Sequence, residues 1–186
     1  MQIAARYQNR FLVSDSVLLN LLLIILGSVV LALASQISIP WQPVPFTLQS
    51  TIVALLGLAL GARRAVSIVT LYLLEGALGL PVFAGFTFGL PILLGTTAGY
   101  LIGFLPAAFI AGWLMEKGFA KNIVSTFMAG LISVSVIFIC GVLHLQALIG
   151  FKQAILFGVK PFLITEPLKL LLMTWMAKGC WTSSKK

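Results

Sequence analysis

The chain has 186 residues, of which 60% are hydrophobic and 9% charged, a formal net charge of +8 and a mean hydropathy of +1.12. So few charges cannot coat a soluble globule, where about a quarter of residues are charged. Composition therefore excludes a soluble enzyme and defines an integral membrane protein. The Lys and Arg residues stand singly or in pairs between apolar segments, which argues against a nucleic-acid partner.

Apolar runs at about 17–34, 46–60, 65–80, 92–115, 123–143 and 161–177 predict an all-α bundle of six transmembrane helices. The whole chain, 1–186, reads as a single membrane domain. Arg6 and Arg10 precede the first run, Arg63 and Arg64 follow the second, Lys117 and Lys121 follow the fourth, and Lys178, Lys185 and Lys186 follow the sixth. Only Lys152 and Lys160 fall on the opposite side, and Lys169 lies within a run. The positive-inside rule then places both termini in the cytoplasm and turns the loops 35–45, 81–91 and 144–160 outward.

The first run ends in Ala32-Leu33-Ala34, an A-x-A pattern that a secretory signal would share. Its apolar stretch is longer than a usual signal core and five runs follow, so it reads as a retained helix. Ser28 and Ala32, four residues apart, form a small-residue ridge on which another membrane protein could dock. The next loop, Pro40-Trp41-Gln42-Pro43-Val44-Pro45, is rigid and extended because proline fixes its own φ and biases its predecessor away from helix.

Gly57 and Gly61 recur at four-residue spacing in the second run, and Gly95, Gly99 and Gly103 in the fourth. Such ridges let helix backbones approach closely, either inside one bundle or between copies of the chain. Between the third and fourth runs, residues 79–91 carry no charge and include Phe83, Gly85, Phe86, Thr87 and Phe88. This outward loop is either a lid over an apolar ligand or a re-entrant segment. In the fifth run Cys140 implies neither a disulfide nor a metal site, and Cys180 lies beyond the sixth. The single His144 reads as a polar helix end.

The sixth run holds the most informative pair. Glu166 and Lys169 lie about one turn apart on one face, and a charge at bilayer depth costs roughly 2.5–3.5 kcal/mol on the lenient scales. Two roles are open: a mutual ion pair, or a ligand site in which Glu166 accepts N–H groups and Lys169 donates. Pro167 suits the first turn of a helix starting near Glu166. Residues 167–178 then reach only about 18 Å, short of the roughly 30 Å hydrocarbon core, so the segment from Phe151 to Ile164 must also enter the membrane. No phosphate loop, H-E-x-x-H or G-x-S-x-G motif occurs, and the four acidic residues are Asp15, Glu75, Glu116 and Glu166. The chain reads as built to bind rather than to react, with no catalytic residue, metal or cofactor.

The segments Gln36-Ile-Ser-Ile-Pro40, Pro43-Val-Pro-Phe-Thr-Leu-Gln49, Tyr72-Leu-Leu-Glu-Gly-Ala-Leu-Gly-Leu-Pro-Val-Phe-Ala-Gly85 and Gly99-Tyr-Leu-Ile-Gly-Phe104 resemble the BioY family of biotin-capturing S components of energy-coupling factor transporters. The resemblance implies biotin uptake across the cytoplasmic membrane, with the first and third outward loops closing over the vitamin. It also implies a transmembrane coupling subunit and two cytosolic ATPases as partners, and Ser28 and Ala32 as docking residues, where relatives usually have alanines. Glu166 stands where the family commonly has aspartate, and in the third loop, where polar or basic residues can help hold the biotin carboxylate in relatives, Phe86, Thr87 and Phe88 carry no charge. The expected site is Glu166 on the ureido N–H groups, Lys169 on a nearby acceptor, polar contacts from Gln49 and Glu75, and a wall of Phe46, Phe83, Gly85, Phe86, Thr87 and Tyr100. An S component for another vitamin, or a homo-oligomeric channel or scaffold joined through the Gly95-Gly99-Gly103 ridge, would share the composition.

Overall fold

In the computed structural model, residues 17–120 and 122–183 are described, with side chains as far as Trp175. Of the residues used for topology, Arg6, Arg10, Lys121, Lys185 and Lys186 lie outside the described residues, as do the side chains of Lys178 and Cys180. Helix α1 (Val17–Gln36) is apolar almost throughout and stops where the sequence turns to Ile37-Ser38-Ile39-Pro40. Strands β1 (Ser38–Ile39) and β2 (Phe46–Thr47) pair antiparallel, with Ser38 opposite Thr47 and Ile39 opposite Phe46. The proline-rich loop is thus the tip of a small ribbon.

Helices α2 (Gln49–Leu60) and α3 (Ala62–Ala77) are separated by Gly61 alone. Its φ of +83°, open to glycine at little cost, reverses the chain in one residue while its N–H reaches the Gly57 carbonyl at 3.0 Å. Helix α4 (Leu90–Leu94) and helix α5 (Ala98–Glu116) together replace the single run expected at 92–115. The break comes at Gly95, whose backbone is extended. Helix α6 (Ile123–Ile149) opens with a capping box, the Asn122 side chain accepting from Ser125 N–H at 2.8 Å and Ser125 Oγ accepting from Asn122 N–H at 3.1 Å.

Helix α6 does not end near 143 as expected. At 27 residues it is about 40 Å long, and His144 is not its terminus. The His144 Nε2 lies 3.0 Å from the Gly95 carbonyl oxygen, a partner that only an N–H can satisfy. Helix α7 (Phe151–Gly158) then precedes α8 (Phe162–Ser183). Pro167 does not start α8, which begins five residues earlier at Phe162. Proline removes one backbone donor there, the bond to the Leu163 carbonyl, and the helix continues past it.

Helices α1, α5 and α6 are long and apolar enough to cross a membrane, and α2 is a shorter apolar helix. Among the described residues the six expected spans are not all matched by helices of that length, and short helices α4 and α7 lie between the longer ones. Helix α5 is the centre of the bundle, with Ala98, Ala107, Ala108 and Ala111 fully buried. Its glycines meet neighbouring backbone rather than lipid. A Cβ added to Gly99 would stand 2.6 Å from the Cys140 carbonyl oxygen, and one on Gly103 would stand 3.2 Å from Ile137 Cα. Gly57 likewise faces Ala108 and Ala111. Gly95 belongs to neither α4 nor α5, so the ridge expected over 95–103 reduces to two residues, both spent on α6. It is not an exposed surface for a second copy.

Where α5 ends, the Glu116 carboxylate accepts from the backbone N–H of Ala62 at 2.8 Å, capping the first turn of α3. Helix N-termini carry unsatisfied N–H groups and favour a negative charge. Glu116→Ala is expected to cost about 1 kcal/mol, read as a drop of a few degrees in thermal unfolding of the purified protein, with Glu116→Gln recovering part of it.

Candidate ligand cavity between the ribbon and helices α2, α5, α6 and α8

A cavity of about 280 Å³ opens among the ribbon, the 79–97 segment and helices α2, α5, α6 and α8. Its size is near the lower end of pockets that hold small molecules, about 300–1,000 Å³. Leu101, Phe104, Ile137, Phe138 and Phe162 form its apolar wall. Polar groups are few: Thr47, Gln49, Ser50, Thr87, Thr96, Thr97, Tyr100 and Glu166.

The aromatic wall is continuous. Phe46 stacks on Phe162 with ring centroids 4.3 Å apart, Phe162 packs on Phe138 at 5.2 Å, and Phe138 meets Tyr100 edge-on at 5.8 Å. The Tyr100 hydroxyl donates to the Gly158 carbonyl at 3.0 Å, and its ring covers Gly141, where a side chain would collide with it. Tyr100 thereby fastens α7 across α5 and α6. Thr96 Oγ1 donates to the Pro43 carbonyl at 2.9 Å, tying the ribbon tip to the start of α5.

Glu166 is 4% exposed and forms an ion pair with Lys169 through Oε1. Its other oxygen, Oε2, accepts from Ser50 Oγ at 2.7 Å. The Lys169 ammonium also donates to the Thr47 carbonyl at 2.7 Å and lies 3.3 Å from Ser50 Oγ. An ammonium has three protons, so Lys169 is fully engaged by groups on β2, α2 and α8. A carboxylate offers about four lone-pair sites, so Glu166 keeps acceptor capacity toward the cavity it lines.

Opposite, Phe83 is 2% exposed and packs edge-on against Tyr72 at 5.5 Å. Gln49 Nε2 donates to the Tyr72 hydroxyl at 2.5 Å, and that hydroxyl donates to the Val82 carbonyl at 3.1 Å. Tyr72→Phe is expected to break this relay and loosen the 79–89 loop, measured as faster amide exchange in that segment with the helices unchanged.

Of the residues singled out by sequence, Gln49, Phe83, Thr87, Tyr100 and Glu166 line the cavity together. Phe46 supports its wall through Phe162, and Lys169 stands behind Glu166. Gly85, Phe86 and Glu75 are not among its lining residues, and Phe86 is 67% exposed. Glu75 instead accepts from Ser28 Oγ at 3.0 Å. Ser28 is therefore fully buried between α1 and α3 and not presented to a partner, while Ala32 is half-buried against the core.

Sequence reasoning missed Ser50, Thr47, Thr96, Thr97, Phe138 and Phe162. Ser50 had one signal, its position beside Gln49 at the start of an otherwise apolar helix. Gln36 was missed as well. It stands at the end of α1, 47 and 50 residues from its two backbone partners at Phe83 and Phe86.

A mostly helical chain with several membrane-crossing lengths, closed around a cavity whose lining includes one carboxylate, is a multi-pass membrane protein. The sequence profile of the BioY family matches residues 7–186, and the chain belongs to that family. It is 38% identical over 138 residues to a probable biotin transporter BioY of Pyrococcus horikoshii, covering 74% of this chain and 81% of that protein. It is 38% identical over 149 residues to the biotin transporter BioY of Thermotoga maritima, covering 79% and 86%. Its fold is similar to the crystal structure of the S-component for biotin from an ECF-type ABC transporter, with a TM-score of 0.79 and 20% identity over 92% of this chain and 95% of that one.

Proposed function

We propose that the chain captures biotin at the outer face of the cytoplasmic membrane as the S component of an energy-coupling factor transporter. The observation that carries this reading is Glu166: a buried carboxylate on the cavity wall, charge-balanced from behind by Lys169, with acceptor sites left for ligand N–H donors. The biotin ureido group offers two N–H donors beside fused rings that suit the wall of Phe138, Phe162 and Tyr100. Lys169 then acts through Glu166 and Ser50 rather than by touching the ligand. Gln49, Thr87, Thr96 and Thr97 are the polar groups for the rest of the molecule, in a third loop without charge.

In this reading α1, α2, α3, α5, α6 and α8 make six crossings with both termini cytoplasmic, in keeping with the basic residues at Arg63, Arg64 and Lys117. The cavity then faces outward. Binding belongs to this chain, and ATP-driven release to a transmembrane coupling subunit with two cytosolic ATPases. The test is labelled-biotin uptake in cells that lack their own biotin uptake system, with the chain expressed alone and with a coupling module. Uptake that appears with the chain and is lost in Glu166→Ala supports the role. Uptake equal to the empty control in both backgrounds contradicts it.

A further inference from the structure

The 82–88 turn supplies Phe83, Ala84 and Thr87 to the cavity, yet little within it holds its shape. Its own bonds are Phe83 N–H to the Thr87 carbonyl at 3.1 Å and Thr87 Oγ1 to the Ala84 carbonyl at 3.0 Å. Gly85 and Phe86 are both left-handed, with φ of +69° and +58°. Glycine accepts this freely, but a phenylalanine there is strained. The strain at Phe86 would be relieved if the turn opened.

The side-chain amide of Gln36 bridges two backbone groups of this turn, one before the left-handed pair and one within it. Its Nε2 donates to the Phe83 carbonyl at 3.0 Å, and its Oε1 accepts from Phe86 N–H at 3.0 Å. The same Nε2 donates to Ser35 Oγ at 2.8 Å, and Ser35 Oγ donates to the Val82 carbonyl at 2.7 Å. The last residues of α1 therefore meet the turn much as a neighbouring strand would, with donor to acceptor and acceptor to donor.

We infer that Gln36 is the latch of the cavity's third-loop lid, a positioning residue that sets how long a ligand stays bound without touching it. The inference rests on the reading of the cavity as a biotin site, but the latch also makes a claim about the ligand-free protein. Opening the 83–86 part of the lid must break both Gln36 bonds, beside the Ser35 and Tyr72 bonds that hold Val82, so the latch acts on the dissociation rate. A residue needed only for folding would lower the fraction of active protein and leave that rate alone.

The experiment compares wild type, Gln36→Met and Phe86→Asn in detergent. Biotin dissociation is followed by chase with unlabelled biotin, and amide exchange of residues 82–88 is measured without ligand. Methionine keeps the length of glutamine and removes both bonds. Asparagine tolerates the left-handed conformation and relieves strain in the closed turn. Gln36→Met is expected to release biotin about tenfold faster at unchanged stoichiometry and to exchange faster over 82–88. Phe86→Asn is expected to release it more slowly. Unchanged dissociation and exchange in both variants would overturn the latch, as would reduced stoichiometry at an unchanged rate in Gln36→Met. If wild type fails to bind biotin, the functional reading falls, and the exchange data still decide the latch.

Discussion

Replacing Lys169 by alanine is expected to weaken biotin binding at least tenfold, about 1.4 kcal/mol, and to lower the stability of the ligand-free protein as well. The ammonium is the partner of Glu166 and also joins the Thr47 carbonyl and Ser50 Oγ. Without it, a carboxylate that is 4% exposed keeps only the Ser50 hydroxyl. Breaking a buried pair from one side costs about 3–5 kcal/mol because the other charge is left uncompensated. The Lys169 contacts to Thr47 and Ser50 also fix where that carboxylate sits on the cavity wall, so binding falls with stability. The double replacement Glu166→Gln, Lys169→Met separates the two effects. It is expected to recover thermal stability, since no unpaired charge remains, and to leave biotin binding weak. Recovery of binding in that double variant would show that the carboxylate is not the ligand's acceptor.

Gly99→Val is expected to be strongly destabilising, because its side chain would enter the α5–α6 contact. The new side chain would enter the space of the Cys140 carbonyl, the Gly141 Cα at 3.1 Å and the Cβ of His144. Overpacking against side chains that can yield costs about 1–3 kcal/mol. Here the obstacle is the backbone of α6, which cannot rotate away, and the cost is expected at or above that upper end. Moving α6 would also displace Phe138, which lines the cavity, and the His144 contact to Gly95. Size-exclusion profile and thermal unfolding are the readouts. Gly130→Ala is the control, because its Cβ would meet only the flexible end of Leu170 at 3.1 Å, and a small shift is expected there. Equal unfolding temperatures for Gly99→Val and wild type would mean that α5 and α6 are not packed as described.

The membrane character of the chain was legible in composition, and the family in the Pro43–Gln49 and Gly79–Gly85 segments, because both depend on residues close together in sequence. The register between distant elements was not. The spacing of Glu166 and Lys169 announced a pair, but whether the lysine faces the ligand or the protein depends on Thr47 and Ser50, more than a hundred residues away. Glu75 carried the same ambiguity. One polar residue on an apolar helix could face a cavity or a neighbour, and the α1–α3 contact turns it toward Ser28. That contact also removes Ser28 from any docking surface. The helix limits erred where local signals compete with tertiary ones. Polar His144 suggested an end to α6, yet the Gly95 carbonyl supplies its partner and the helix continues. Pro167 suggested a start for α8, yet its missing donor costs the early part of a 22-residue helix only one bond.

The cavity is expected to bind biotin through the buried Glu166 carboxylate. Calorimetric titration of biotin into the purified, detergent-solubilised chain, with thiamin and riboflavin as controls and Glu166→Ala alongside, tests it most directly. Saturable one-to-one binding of biotin alone is expected, at or below the micromolar level, and its loss in Glu166→Ala. No heat of binding for biotin in a folded sample, or equal affinity for thiamin or riboflavin, would contradict it.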